Sequence, residues 1–123
     1  MILRQVCLIA ADVPRLRSFY ETVLDIRFEG DDVHSMGRAA GVELVLYDRR
    51  AAQEQMGLDL GSPPVAGTLW LNWETDDVDR DWARLTAAGL TPEGPVVTRP
   101  WGARSFQIRD PEGNIVGFVR PPA

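Results

Sequence analysis

The chain has no lysine: all thirteen of its basic residues are arginine. A phosphate loop of the Gly-Lys-Ser/Thr kind is therefore excluded, and the glycines are scattered rather than gathered before a helix. The arginine-only usage reads as base bias of a genome rather than as mechanism. There is one histidine, His34, and one cysteine, Cys7. With no plausible serine context for that histidine, a Ser-His-Asp constellation is excluded. One cysteine and one histidine do not make a zinc motif, and a lone cysteine makes no disulfide framework. Cys7 lies in an apolar run, and a buried, inert thiol is expected. No apolar run approaches the length that spans a bilayer. The opening MILRQVCLIAADV is too short and too regularly patterned for a signal peptide, so a reducing cytoplasm is the expected location. No basic cluster offers an electrostatic footprint for nucleic acid, and the net charge is −5.

What is present suits one globular domain, residues 1–123, with 45% apolar and 25% charged residues. RQVCLIAA is a short apolar run suited to a strand. DVPRLRSFYETVLD opens on Asp12, an N-cap, with Pro14 in the first turn where a missing N–H costs nothing. Val13, Leu16, Phe19, Tyr20, Val23 and Leu24 recur at helical spacing. IRFEGDDVHSMG predicts two short strands around a turn, and GVELVLYDRR another strand. Residues 48 to 66 break the pattern with Gly57, Gly61, Pro63 and Pro64, which predicts a linker with one helical turn.

The order then repeats. GTLWLNWE predicts a strand. DDVDRDWARLTAAG predicts a helix with Asp77 as N-cap and Gly89 as terminator. PEGPVVTRPW, ARSFQIRD and NIVGFVR predict three strands, with DPEG as a turn. Laid over itself at an offset of 65 residues, the chain pairs Asp12 with Asp77 and Gln5 with Trp70. Two copies of one βαβββ module are expected, 1–50 and 66–123, joined by a linker at 51–65. One residue resists this pattern. Gly117 stands in the middle of an apolar strand, where glycine packs nothing.

The two helix motifs and above all RPWGARSFQIRDPEGN resemble the glyoxalase / bleomycin-resistance / dioxygenase superfamily, the vicinal oxygen chelate proteins. The resemblance covers nearly the whole chain and implies an α+β fold in which two βαβββ modules form a cupped mixed sheet, usually in a homodimer. Metal-dependent relatives carry His, Gln or Glu on the first and last strand of each module. Carried over, those positions are Gln5, Glu43, Trp70 (or, two residues earlier, Thr68) and Gly117. Two can bind a metal and two cannot, so no metal and no other cofactor is expected. Gly117 stands where such a relative has a carboxylate, and cavity space is expected there, with Trp70 reaching into part of it.

Strand alternation groups Gln5 with Cys7 and Ile9, Glu43 with Val45 and Tyr47, and Trp70 with Asn72. Family placement aims these faces into the cup, while Leu69, Leu71 and Trp73 pack on the helix. The candidate ligand-binding residues are Gln5, Glu43, Tyr47, Trp70, Asn72, Trp101, Arg104 and Gly117. Glu43 is read as a base, as a partner for a cationic ligand group, or as an edge-strand carboxylate. Gln5 contacts ligand or satisfies a backbone group. Trp101 stacks on ligand or packs locally or at a dimer contact. Arg104 pairs with an acid of the ligand or of the partner. His34 is read as a surface or turn residue, and Trp82, Phe106 and Phe118 as core.

Three functions compete on this reading. The first is a metal-free protein that sequesters a small aromatic or planar ligand in the cup, as antibiotic-resistance relatives do. The second is an enzyme of the superfamily, a lyase, isomerase, epimerase or ring-cleaving dioxygenase, with Glu43 as base or with a displaced metal site. The third is a regulatory module whose cup binds a signal. No nucleic-acid or membrane partner is expected.

Overall fold

The computed structural model describes residues 1–39, 41–62, 67 and 69–123, so Thr68 lies outside the described residues. The chain divides into two compact units, Met1–Pro64 and Val65–Ala123.

The first unit contains β1 (Gln5–Ala10), α1 (Val13–Leu24), β2 (Phe28–Gly30), β3 (His34–Ala39), β4 (Val42–Asp48) and α2 (Arg49–Met56). Its sheet has the order β1-β4-β3-β2, with β1 parallel to β4 and the other pairs antiparallel. Asp12 caps α1 by accepting the Arg15 N–H at 3.1 Å. The helix buries Val13, Leu16, Phe19, Tyr20 and Val23, one stripe at helical spacing. The sheet contributes Leu8, Ala10, Leu44 and Leu46, all buried. Burying each of the three leucines is worth about 1.5–3 kcal/mol. The alternate positions of β1 do not join this core: Gln5 and Cys7 are exposed. The expectation of a buried Cys7 is thus corrected. Its even-numbered neighbours face the helix, and its own side is open. Partial desolvation on that sheet face still pushes the thiol pKa up.

The stretch read as a linker with one helical turn begins with an eight-residue helix, α2. Asp48 caps it, accepting the Ala51 N–H at 2.9 Å.

The second unit repeats the plan with β5 (Trp70–Glu74), α3 (Val78–Ala87), β6 (Val97–Thr98), β7 (Arg104–Arg109) and β8 (Ile115–Arg120). The sheet order is β5-β8-β7-β6, with β5 parallel to β8. Asp77 caps α3 through the Arg80 N–H at 3.0 Å. Phe106 and Phe118 are buried and stack at 5.0 Å between centroids, 6° from parallel. Trp82 departs from its core assignment. It is half-buried, and its indole N–H donates to the Gly94 carbonyl at 3.0 Å, tying α3 to the loop that follows it. Leu69, Leu71 and Trp73 are half-buried. The turn before β8 is organised by buried Asp110, whose Oδ1 accepts the N–H groups of Glu112 and Asn114, each at 2.9 Å.

Candidate functional site

In the second unit a cavity of about 340 Å³ opens on the face of the sheet opposite α3. That volume falls within the range of about 300–1,000 Å³ common for small-molecule sites. Trp70 and Asn72 of β5 line it, with Ser105 and Gln107 of β7, Val119 of β8, and Arg99, Trp101 and Ala103 of the β6–β7 connection. The connection explains how Trp101 comes to stand there. Arg99-Pro100-Trp101-Gly102 is a β-turn closed by the Gly102 N–H donating to the Arg99 carbonyl at 2.9 Å. Pro100 fixes φ at its second position, and Gly102 takes φ 96°, which only glycine adopts freely. Trp101 is left 70% exposed at the rim, and Trp70 is 57% exposed.

Gly117 lies beneath. Register sets it opposite Asn72 on one side and Gln107 on the other. A side chain at 117 would collide with the amide oxygen of Asn72, and its Cβ would lie 2.7 Å from the Trp70 indole nitrogen. Trp70 does reach into the space left by the missing side chain, as expected, but Asn72 takes the rest of it, so no open cavity remains there. Glycine at 117 lets Trp70 and Asn72 lie flat over the strand, so its absent side chain positions the tryptophan rather than enlarging the cavity.

In the first unit, parallel register sets Gln5 beside Glu43, and the Gln5 Nε2 donates to Glu43 Oε1 at 2.5 Å. Across the antiparallel pair, Arg38 donates to Glu43 Oε2 at 3.2 Å. Glu43 is buried, with both oxygens engaged and its charge matched by Arg38. A second cavity of about 390 Å³ opens here, lined by Arg27, Glu29, Met36, Gly37, Arg38 and Glu43.

The remaining candidates sit elsewhere. The Tyr47 hydroxyl donates to Gln55 of α2, and the ring meets His34 edge-on at 5.2 Å. His34 itself is exposed. Arg104 points to the helix side of β7, where it grips Asp79 of α3 through two hydrogen bonds of 2.8 and 2.7 Å. That grip holds the Asp79 carboxyl below the usual carboxylate range and raises the Arg104 pKa. The cavity arginine is Arg99, which the sequence reading missed. The signal lay in the turn: Arg99 and Ala103 flank it and pair across it, the Arg99 N–H donating to the Ala103 carbonyl at 2.6 Å, so Arg99 shares the face of Ala103, Ser105 and Gln107, and Arg104 does not.

The sequence model of the Glyoxalase/Bleomycin resistance protein/Dioxygenase superfamily matches residues 2–118, and the chain belongs to that superfamily. Among solved structures it is similar to a glyoxalase/bleomycin resistance protein/dioxygenase from Nocardioides, with 24% identity and a TM-score of 0.87 over 99% of this chain and 84% of that one. It is also similar to a lactoylglutathione lyase from Agrobacterium tumefaciens, with 22% identity and a TM-score of 0.76 over 97% and 92% of the two chains. A third is TioX from Micromonospora sp. ML1, with 24% identity and a TM-score of 0.70 over 94% of each. At these identities the likeness is one of fold. No curated protein matches.

The superfamily includes metal-dependent members, so the donor set needs testing. Of the four strand positions, Gln5 and Glu43 carry donors, and both are already bonded to each other. Trp70 offers an N–H donor with no lone pair for a metal, and Gly117 offers no side chain. No cluster of three or more His, Cys, Asp or Glu side chains converges among the described residues. These residues do not fit a divalent metal, which needs several N or O ligands held at once. Among the described residues no helix is long and apolar enough to cross a membrane.

Proposed function

We propose that this protein is a metal-free small-molecule-binding member of its superfamily, taking a planar or aromatic ligand into the cavity of the second unit. One observation carries the reading. Two large aromatic side chains, Trp70 and Trp101, stay exposed around a concave, partly polar site, where burial would have been the ordinary outcome for tryptophan. Neither contributes much to the core, and each offers a face for stacking worth about 0.5–1.5 kcal/mol beyond area burial. Asn72, Ser105 and Gln107 supply hydrogen-bonding groups that fix orientation. Two stacking faces together improve affinity by roughly one to two factors of ten.

An enzymatic reading draws on the fold likeness to a lactoylglutathione lyase and on buried Glu43 as base. Against it, both carboxylate oxygens are already engaged within the protein, one by the Gln5 amide and one by the Arg38 guanidinium. The test is a small-molecule screen read by tryptophan fluorescence, repeated with Trp70→Ala and Trp101→Ala. Both variants are expected to bind any hit about tenfold more weakly or worse. A hit bound equally well by both folded variants would move the site elsewhere.

A further inference from the structure

We propose that the second unit's cavity selects aromatic molecules bearing a carboxylate, and that Arg99 is the residue that recognises the anion. The inference rests on the reading of this cavity as the ligand site and adds the charge class of what enters it.

Arg99 lines the cavity and is half-buried. Its hydrogen bonds go to neutral acceptors: Nε donates to Ser105 Oγ at 2.8 Å, and Nη2 to the Ser105 carbonyl at 3.3 Å and Gln107 Oε1 at 3.4 Å. Among the described residues no carboxylate pairs with it, and its Nη1 makes no hydrogen bond. The two arginines of β7 differ: Arg104 is paired with Asp79, and Arg109 with Glu93. A guanidinium drawn partly out of water with no counter-charge is costly, and an incoming carboxylate removes that cost.

The cavity around it contains no acid. Two tryptophans, the Asn72 and Gln107 amides, the Ser105 hydroxyl and aliphatic carbons complete the lining. The first unit's cavity is the contrast, since Arg27 and Arg38 are balanced there by Glu29 and Glu43. The net charge of −5 does not oppose anion binding at close range, because charges beyond about 8 Å are largely screened at physiological ionic strength.

The cation is also held in place before any ligand arrives. The Arg99 N–H donates to the Ala103 carbonyl at 2.6 Å, and its own carbonyl accepts from Gly102 at 2.9 Å. These bonds anchor the backbone from which the side chain departs, and Ser105 and Gln107 fix the side chain's plane. A planar fork with a free N–H edge matches a carboxylate, and flanking indole faces match a flat ring.

The experiment uses three probes of one shape: naphthalene-2-carboxylate, naphthalene-2-carboxamide and 2-naphthylmethylammonium. Binding is read from the four indole N–H resonances in a nitrogen-15 spectrum of the whole protein. The carboxylate is expected to shift Trp70 and Trp101 while Trp73 and Trp82 stay in place. It should bind about 10- to 100-fold more tightly than the amide, the range that a charge-assisted hydrogen bond supplies, with the ammonium weakest. In Arg99→Gln the carboxylate should lose its advantage over the amide, the two probes binding with similar affinity. If Trp70 and Trp101 respond but the carboxylate binds no better than the amide, or the ammonium binds best, the anion proposal fails and the cavity reading stands. If no probe moves either residue, both fail. The comparison of probes on the unaltered protein decides the matter even if Arg99→Gln does not fold.

Discussion

At the scale of single residues, stability and binding come apart. Trp70 and Trp101 are largely exposed, so Trp70→Ala and Trp101→Ala should each change unfolding free energy by no more than about 0.5 kcal/mol. Their effect belongs to ligand affinity. Gly117→Leu is the opposite case. Its side chain would displace Trp70 and Asn72, costing about 1–3 kcal/mol of stability as overpacking does, and it should abolish stacking at Trp70. Denaturant unfolding beside a binding titration checks all three, and a Gly117→Leu protein as stable and as competent as the parent would contradict this account of the glycine. What the sequence revealed here was partial. Trp70, Asn72 and Trp101 were legible because alternation and a proline-glycine turn place them. Arg99 was overlooked because the motif drew attention to Arg104, one residue out of phase.

At the scale of elements, both helices of the repeat were legible because each begins with an aspartate followed by an apolar stripe. Asp12 and Asp77 make the same bond, to the N–H of the third residue of their helices, at 3.1 and 3.0 Å. Asp12→Ala and Asp77→Ala should therefore cost similar amounts, about 0.5–2 kcal/mol each, measured by chemical denaturation. A loss at one cap alone would show that the two helices do not play equivalent parts. The helix α2 reads in the sequence as a single helical turn, shorter than its eight residues, for a physical reason. Ala52 is its one buried residue, so Arg49–Met56 presents no apolar stripe, although Asp48 and Gly57 mark its ends. The strand β6 shrank to Val97–Thr98 because it is an edge strand between Pro95 and Pro100, neither of which can donate to a ladder. Register was not legible either. Gln5 pairs with Glu43, yet Trp70 pairs with Ile115 and Asn72 with Gly117, a stagger that backbone pairing sets and side-chain pattern does not announce.

For the molecule as a whole, the repeat of pattern at an offset of 65 residues carried the fold, and the superfamily match bears it out. Two exposed carboxyls report on its behaviour in acid. Asp31 has its pKa lowered by the N–H groups of His34 and Val33, and Asp79 by Arg104. A lowered folded pKa gives stability that is present above the unfolded value of about 3.9 and lost as pH falls through the folded value. Arg104→Ala should return the Asp79 carboxyl toward the ordinary range, as read by NMR titration, and an unmoved value would contradict the pairing. The exposed β1 positions Gln5 and Cys7 also motivate a homodimer proposal. Sedimentation should give a mass of twice 13.7 kDa, and a stable monomer would refute it.

On the proposed reading the protein binds its ligand by shape, stacking and hydrogen bonds, with no metal. Elemental analysis is the test: the protein is incubated with excess zinc, nickel, manganese and iron(II) in turn, then desalted and measured. With Gln5 and Glu43 bonded to each other and no donors at Trp70 or Gly117, well under one metal per chain should remain after each treatment. One metal per chain, lost on Glu43→Ala, would contradict the account and turn the protein toward metal-dependent chemistry.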